Sequence, residues 1–185
     1  MKELSLNILD IAKNSVKAGA SLIEILLNET DEQLTICIKD NGCGMTAQTV
    51  ENVTNPFYTT RTTRKVGMGL PLFKLEAEMT GGNMTVESYH KDEYPDTHGT
   101  VVTADFYKNH IDFIPLGDVV ASVATLIQGS PDIDFLYKHT MPKGEIVLDT
   151  RQIREVLGSD IPLNSIEIIQ WITDSLNGEY GELKE

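Results

Sequence analysis

Apolar side chains near the start of the chain recur every three to four positions. They share one broad face of a helical projection, and polar side chains occupy the opposite face. The apolar positions are Ile8, Leu9, Ile11, Ala12, Val16 and Ala18. This period is typical of a helix that packs one side against a core, so the sequence predicts an amphipathic helix over residues 4–18.

Shorter apolar segments with alternating polarity follow, and clusters of Gly, Asn and Asp separate them. Such segments are typical of strands bounded by turns. They predict strands near 21–28, 34–39, 83–90 and 100–107, with further helices near 46–52 and 69–79. We expect a two-layer α/β sandwich over residues 1–110, in which a mixed sheet carries the helices on one face.

The chain after residue 110 offers a fold pattern without a catalytic motif. It predicts helices over 118–127, 150–157 and 164–176 and strands over 133–137 and 145–148. Asn164 and Glu167 resemble a capping box for the last helix, whose wide apolar face predicts burial against this domain or a partner. Residues 178–185 form a polar tail that we expect to fray. Residues 111–185 are therefore expected to be an α/β extension for packing or docking.

Composition narrows the classes of partner. The chain has 185 residues, a net charge of −13 and a pI near 4.6. Nucleic acids and anionic membranes are bound by clustered Lys and Arg, so neither is an expected partner. No apolar run reaches the roughly 18 residues of a membrane span, and the start lacks a signal-peptide pattern. We expect a cytoplasmic protein.

Candidate chemistry begins at Asp40, which follows an apolar strand and precedes Gly42 and Gly44. Glycine adopts positive φ readily and allows close approach of another group. A carboxylate at a strand end accepts a hydrogen bond from the exocyclic amine of adenine, and a base without that amine would leave it unpaired at about 1–3 kcal/mol. The pattern predicts a purine pocket, although a plain tight turn explains the same residues.

The polar face of the first helix carries Asp10, Asn14 and Lys17, three to four positions apart. Side chains at this spacing lie above one another. One interpretation is a row that faces a nucleotide, with the Asn14 amide oxygen on Mg²⁺, Lys17 toward phosphate and Asp10 orienting or deprotonating a water. The other interpretation is a solvated surface of an ordinary helix.

A segment rich in hydroxyls and cations suits a polyphosphate. It comprises Thr59, Thr60, Arg61, Arg64 and Lys65, and it leads into Gly67 and Gly69 before a predicted helix. Glycines there permit a nest of backbone N–H groups, and helix N-termini bind anions. A polar surface loop is the alternative.

Thr100 follows Gly99 at the predicted start of a strand. It either places a hydroxyl near the base or is a strand residue without a ligand.

In this order and spacing, the motifs resemble the ATP-binding domain that unites gyrase, the ninety-kilodalton heat-shock chaperones, histidine kinases and MutL. The resemblance covers about residues 1–108. The matching positions are Asn14 in the N box, Asp40, Gly42 and Gly44 in the first glycine box, residues 55–64 in the phenylalanine box, Gly67 and Gly69 in the second glycine box, and Gly99-Thr100. It implies a Bergerat-type fold, bound Mg²⁺ and ATP, adenine held by Asp40, and a mobile lid over about residues 54–68.

Two departures bear on the reaction. The hydrolysing branches carry a glutamate four positions before the N-box asparagine, but this chain has Asp10, whose reach is one methylene shorter. Lys17 matches the basic N-box position of histidine kinases. Only a few residues precede the first helix, so we expect no phosphoacceptor domain within the chain. The four histidines are expected in loops or at strand edges: His90, His98, His110 and His139.

Three functions remain open. The first is a stand-alone kinase that transfers the γ-phosphoryl group of ATP to a separate protein, as histidine kinases and serine-phosphorylating anti-sigma kinases of this family do. The second is an ATPase switch with Asp10 as base, and the third is a noncatalytic nucleotide sensor. We rank the kinase first, with ATP and Mg²⁺ as cofactors, a protein acceptor as partner, and a homodimer left open.

Overall fold

The structure is a computed structural model that describes residues 3–55, 69–158 and 160–184. Within these residues the helices are α1 Leu4–Lys17, α2 Ala47–Val53, α3 Gly69–Met79, α4 Val119–Gly129, α5 Thr150–Leu157 and α6 Ile166–Lys184. The strands are β1 Leu22–Glu29, β2 Gln33–Asp40, β3 Met84–Tyr89, β4 Gly99–Tyr107, β5 Asp134–Met141 and β6 Gly144–Asp149. The α/β class predicted from the sequence is confirmed, and the element bounds before residue 110 agree to within one residue.

The described strands form one sheet with the order β3-β4-β2-β1-β5-β6. β1 and β5 run parallel, whereas the other neighbouring pairs are antiparallel. The six-stranded sheet is therefore mixed, as predicted, but its parallel pair comes from β5 in the extension, and the four strands before residue 110 pair antiparallel. Asp40 at the end of β2 pairs with Thr100 at the start of β4, which brings two predicted site residues side by side.

One face of the sheet is buried beneath the helices. Alternate positions of the strands point into this core, among them Ile23, Ile25, Ile36, Ile38, Val102, Phe106, Phe135 and Ile146. In the helical layer, α1 contacts α3 on one side and α4 on the other, and α4 contacts α6. Burying each large apolar side chain stabilises the fold by about 1.5–3 kcal/mol. The alternation that predicted the strands arises from this one-sided burial.

The chain after residue 110 extends the same sheet. β5 pairs with β1 from Leu22 opposite Asp134 to Asn28 opposite Thr140. β6 then adds an antiparallel edge through a short turn at Pro142 and Lys143. The α/β extension is thus confirmed, while a domain boundary at residue 110 stays a prediction.

The sequence-based prediction for the last helix was wrong at both ends. α6 begins at Ile166, because the Ile169 N–H donates to the Ser165 carbonyl, so Ser165 rather than Asn164 occupies the cap position. The helix runs to Lys184 instead of fraying after Leu176. Its last turns are held in place because the Tyr180 hydroxyl bonds to the sheet and Leu183 packs against the core.

Burial of α6 is also narrower than predicted. Ile172 and Leu176 are buried in the core. Ile166 and Trp171, by contrast, are 81% and 55% exposed. The neighbouring α4 and β6 cover only one side of the helix, so its apolar circumference is not fully buried among the described residues.

A buried polar cluster ties α6 to the sheet. It consists of Glu29, Lys108, Tyr137, His139 and Tyr180. His139 Nε2 lies 3.0 Å from Glu29 Oε2 and His139 Nδ1 lies 2.6 Å from the Tyr180 hydroxyl, which also bonds to the Tyr137 hydroxyl. Lys108 Nζ donates to Glu29 Oε1 at 2.6 Å. His139 is therefore a buried residue of β5, and the prediction that it lies in a loop or at a strand edge was wrong.

The hydrogen bonds of this cluster favour the ionised form of Glu29. The bond from His139, helped by Lys108, lowers the pKa of Glu29 from its ordinary value of 4.5 to about 2. An ionised carboxylate only accepts, so His139 Nε2 donates to Glu29, while His139 Nδ1 pairs with the Tyr180 hydroxyl. Burial raises the pKa of Tyr180 to about 12, so its hydroxyl keeps its proton.

None of the helices that the structure describes combines the length and apolar character needed to cross a membrane.

Candidate functional site

The carboxylate of Asp40 lies buried at the carboxyl end of β2 and is held by two donors. The Ser15 hydroxyl donates to Oδ2 at 2.6 Å, and the Gly42 N–H donates to Oδ1 at 2.9 Å. Each carboxylate oxygen carries two lone pairs and therefore has the capacity to accept a second hydrogen bond. The carboxylate is thus fixed in orientation and is still able to accept from a ligand.

The two glycines after Asp40 are required by packing within the protein. A Cβ on Gly42 would lie 2.8 Å from the Ala18 Cβ at the end of α1. Gly44 has φ +69°, and a Cβ there would collide with the carbonyl of Tyr89 at the end of β3. The turn is therefore pressed between α1 and β3. Contact of these glycines with a purine stays a prediction.

Thr100 reaches the same corner through a hydroxyl network on β3 and β4. Thr100 Oγ1 lies 2.7 Å from Ser88 Oγ, which accepts from the Met45 N–H at 2.8 Å and donates to the Gly99 carbonyl at 3.0 Å. Because a serine hydroxyl has one proton, Thr100 is the donor toward Ser88. The lone pairs of Thr100 remain available to a ligand donor.

Gly99 allows β4 to start this close to Asp40. Its φ is +138°, and a Cβ there would collide with the Asp40 carbonyl. The preceding residue, His98, bonds through Nδ1 to the Gly42 carbonyl at 2.5 Å. β4 and the glycine turn are therefore joined by both backbone packing and a side chain.

The predicted row on α1 lies beside this corner. Asp10 is half-buried, whereas Asn14 and Lys17 are exposed on the same side of the helix. The Asp10 carboxylate lies against Gly69, the first residue of α3, so closely that a Cβ on Gly69 would collide with Oδ2. A helix N-terminus favours a negative charge. The start of α3 and the middle of α1 thus meet at Asp10.

A buried contact below Asp10 holds the two helices together. The Asn7 amide, one turn earlier on α1, donates to the carboxylate of Glu76 on α3, and both side chains are buried. Hydrogen bonds of this kind are strongest when an ionised partner accepts. The spacing of α1 and α3, and with it the position of Gly69 beside Asp10, is set in part by this pair.

Several predicted site residues lie outside the described residues. These are the polyphosphate segment and the glycine that follows it: Thr59, Thr60, Arg61, Arg64, Lys65 and Gly67. Most of the predicted lid, including the phenylalanine box from residue 56 onward, lies outside them as well. The described part of the site therefore has two components. One is the corner of Asp40, Gly42, Gly44 and Thr100, which we call the base corner because a nucleobase is predicted there. The other is the α1 row of Asp10, Asn14 and Lys17.

Sequence reasoning missed Ser15, Ser88 and His98. Ser15 carried a usable signal, since it is a small polar residue at helical spacing from the apolar Ile8 and Ile11. The structure buries it with them. Ser88 lies in an alternating strand, where a hydroxyl is ordinary. His98 lies in the loop before β4, as do His90 and His110 in other loops, in agreement with the prediction for those three.

Comparison with known proteins decides the family. A sequence model described as "Histidine kinase-, DNA gyrase B-, and HSP90-like ATPase" matches residues 2–110, more than half of the chain. This chain belongs to that family. The matched region contains Asp10, Asn14, Asp40, Gly69 and Thr100, so the corner and the row described above are parts of a histidine kinase-like ATPase domain.

Curated relatives of this ATPase domain are named as sensors. A putative sensor protein of Shewanella frigidimarina is 29% identical over 89 residues, which are 48% of this chain and 14% of that protein. The sensor histidine kinase TmoS of Ectopseudomonas mendocina is 32% identical over 89 residues, 44% of this chain and 9% of that protein. The chain therefore spans only about a tenth of the length of these relatives.

A solved structure shares the fold. The N-terminal domain of a DNA repair protein aligns with a TM-score of 0.54 and 18% identity, over 86% of this chain and 58% of that one. The aligned share exceeds the part that the family model matches, so the likeness in fold includes part of the extension.

Proposed function

We propose that this ATPase-family chain binds Mg²⁺ and ATP at the Asp40 corner and transfers the γ-phosphoryl group to a separate protein. The single observation that carries the proposal is the Asp40 carboxylate, fixed by Ser15 and Gly42 and still able to accept. A fixed acceptor at a strand end suits the exocyclic amine of adenine. Failure to pair it would cost about 1–3 kcal/mol, which discriminates against guanine.

The donor set on α1 fits a magnesium ion that arrives with a nucleotide. Mg²⁺ prefers oxygen ligands and usually keeps several waters beside one or two protein ligands and substrate phosphates. The described residues contain no cluster of three or more His, Cys, Asp or Glu side chains placed for a metal. The exposed amide oxygen of Asn14 supports a single protein ligand, and Lys17 supports a phosphate contact one turn further on.

Positioning and charge neutralisation supply most of the catalysis in phosphoryl transfer. We propose that Asn14 and Lys17 hold the phosphate chain, together with Thr59, Thr60, Arg61, Arg64 and Lys65. In the transfer, the bond between the γ-phosphorus and the ADP oxygen breaks and a bond to a side chain of the acceptor protein forms. ADP leaves, and the acceptor's proton passes to a base or to solvent.

Hydrolysis is a second candidate, favoured by the position of Asp10. Its carboxylate lies at the N-terminus of α3, directly after the predicted polyphosphate segment. In this candidate mechanism the Asp10 carboxylate would orient or deprotonate the attacking water. The water oxygen would then take the γ-phosphoryl group, releasing inorganic phosphate, and closure of the lid would change binding of a partner.

The fate of γ-labelled ATP separates these candidates. The full chain is incubated with labelled ATP, Mg²⁺ and an extract of its source cells, and labelled protein and free phosphate are both measured. Label on a protein that is lost with Asp40→Asn supports transfer. Free phosphate that is lost with Asp10→Asn, while ATP binding persists, supports hydrolysis and contradicts transfer. If the chain binds ATP but yields neither labelled protein nor free phosphate, both phosphoryl transfer and hydrolysis are contradicted, and a noncatalytic nucleotide sensor remains.

A further inference from the structure

The outward side of α6 is a polar and aromatic face that nothing in the described residues covers. We call it the tryptophan face. Its exposed members recur at helical spacing over four turns: Glu167, Gln170, Trp171, Asp174, Gly178, Gly181 and Glu182. Residues three and four apart share one side of a helix, so these side chains lie along a single stripe.

Trp171 is the prominent apolar group of this stripe. It is the chain's single tryptophan, and it is 55% exposed although the adjacent Ile172 is fully buried. The helix is therefore anchored with the indole pointing outward. Tryptophan is enriched among the residues that contribute most to protein interfaces, since it offers a large rigid surface and one N–H donor.

The ionisable side chains on the tryptophan face are all acidic. Glu167 lies four positions before Trp171 and Asp174 three positions after it, so carboxylates flank the indole on both sides. Gln170 donates to Asp174 Oδ1 at 2.9 Å, which holds that carboxylate on the face. A cation placed over an indole between two carboxylates gains both a cation–π contact and an ion pair.

Two glycines continue the stripe below Trp171. Gly178 and Gly181 have open space where a side chain would stand, so no neighbour among the described residues requires glycine there. Glycine inside a helix is destabilising relative to alanine. Their place in an exposed helix that runs unbroken to Lys184 is explained if the backbone of another element lies directly against them.

We propose that the tryptophan face docks a helix of another protein that carries lysine and arginine. One basic side chain would lie on Trp171 between Glu167 and Asp174, and the helix would continue across the two glycines. A second copy of this chain is disfavoured as the occupant, because it brings the same acidic face and a net charge of −13. This docking is independent of the proposed phosphoryl transfer.

The position of α6 separates docking from the base corner. α6 packs against α4, α4 against α1, and α1 against α3, so α6 lies at the other end of the helical layer from α3. A partner on the tryptophan face therefore leaves Asp40 and Asp10 accessible. Loss of docking and loss of nucleotide binding are separately measurable in the same preparation.

Trp171 itself reports on the face, because all tryptophan fluorescence of the chain comes from it. The probe is a synthetic amphipathic helix of about five turns with Lys and Arg on one side and Leu and Ala on the other. We expect saturable binding with a blue-shifted emission, and affinity that falls steeply as salt shortens the Debye length. The matched probe with Glu in place of Lys and Arg is expected not to bind.

Variants test the residues, with the probe labelled so that binding is read by anisotropy. Trp171→Ala, or Glu167→Gln with Asp174→Asn, is expected to weaken binding about tenfold or more. The matched control is Glu32→Gln with Asp132→Asn, two exposed carboxylates elsewhere, which should change affinity less than about twofold. Circular dichroism confirms folding of each variant.

Three outcomes overturn the proposal. The first is no saturable binding of the basic probe, and the second is equal binding by the acidic probe or by Trp171→Ala. The third is a dimer in sedimentation that Trp171→Ala dissociates, because the occupant would then be a second copy. ATP binding should be unchanged in all of these variants, which keeps this test apart from that of the nucleotide site.

Discussion

Ser15 and Asp40 are 25 positions apart in sequence and are joined by a buried hydrogen bond of 2.6 Å. The bond links the inner face of α1 to the end of β2, and it sets the plane of the carboxylate that we propose binds adenine. The same helix presents Asp10 and Asn14, about one turn apart, on its polar side, and Asn14 directly precedes Ser15. A core contact and a site contact therefore come from adjacent positions of one helix.

The first prediction concerns this bond. Ser15→Ala removes the donor and leaves the buried carboxylate with Gly42 as its remaining described partner. Hydrogen bonds to charged groups are worth about 1.5–3 kcal/mol, so we expect a loss of this order in the free energy of unfolding. ATP affinity, measured by calorimetry, should fall about fivefold to tenfold, because the carboxylate is no longer held in place.

Ser122→Ala is the matched control. Ser122 is also a buried serine that donates a hydrogen bond, to the Ser5 carbonyl at 3.1 Å, but it lies in α4 away from the base corner. It should lower stability and leave ATP affinity unchanged. Equal loss of affinity in both variants would show that Ser15 acts only through stability.

The second prediction concerns Gly69 and Asp10. In Gly69→Ala, the new Cβ would collide with the Asp10 carboxylate. Because this carboxylate is the end of a side chain that can rotate, we expect it to turn away from Gly69. Because alanine also improves helix propensity by up to about 1 kcal/mol, stability should change little. Phosphate release or transfer should fall to the level of Asp10→Asn if either reaction uses this carboxylate.

Gly129→Ala provides the comparison, since that glycine also lies in a helix and has open space around it. It should affect neither turnover nor ATP affinity. In a protein that already carries Asp10→Asn, Gly69→Ala should have no further effect on turnover. An additional loss in the double variant would place the effect of Gly69 elsewhere than on Asp10.

The third prediction is a pH dependence of stability. The pKa of Glu29 is lowered to about 2, first by the hydrogen bond from His139, against burial that raises it. A lowered pKa means that the unfolded state binds the proton more readily, so this contribution is fully present above about pH 4.5 and is lost as pH falls toward 2. Solvent screening reduces it below the value implied by the pKa shift, since Glu29 is half-buried.

Urea unfolding between pH 7 and pH 2.5 measures this effect. Glu29→Gln should lower stability at pH 7 and flatten its decline below pH 4.5. Asp31→Asn, in the exposed turn between β1 and β2, should leave the decline as it is in the unchanged protein. If the stability of Glu29→Gln declined below pH 4.5 as steeply as that of the unchanged protein, Glu29 would not carry the stabilising charge assigned to it.

Local sequence patterns were enough to predict most of the helices and strands. The helical period of residues 4–18 and the alternation of the strands follow from one-sided burial, which a single sequence displays. The same logic failed for α6, whose end is stabilised by Tyr180 bonding to His139 across 41 positions. Periodicity contains no information on such distant contacts, and the polar character of residues 178–185 predicted a frayed tail where the helix continues.

Site residues divide in the same way. Asp40, Gly42 and Thr100 were predicted because their types and spacing form a motif, and the structure brings them to one corner. Ser15 and Ser88 act through side chains that meet only after the sheet and α1 pack. Their contacts depend on register and on the face of a helix, which a list of motif residues does not contain.

Calorimetric titration with ATP in millimolar magnesium tests the central claim most directly. The account predicts saturable binding to the full chain and its loss with Asp40→Asn, while Asp10→Asn and the distant Asp132→Asn bind like the unchanged protein. GTP should bind at least about tenfold more weakly, since guanine has a carbonyl in place of the adenine 6-amine that donates a hydrogen bond to Asp40. No heat and no thermal protection by ATP, or undiminished binding by the Asp40 variant, would contradict it.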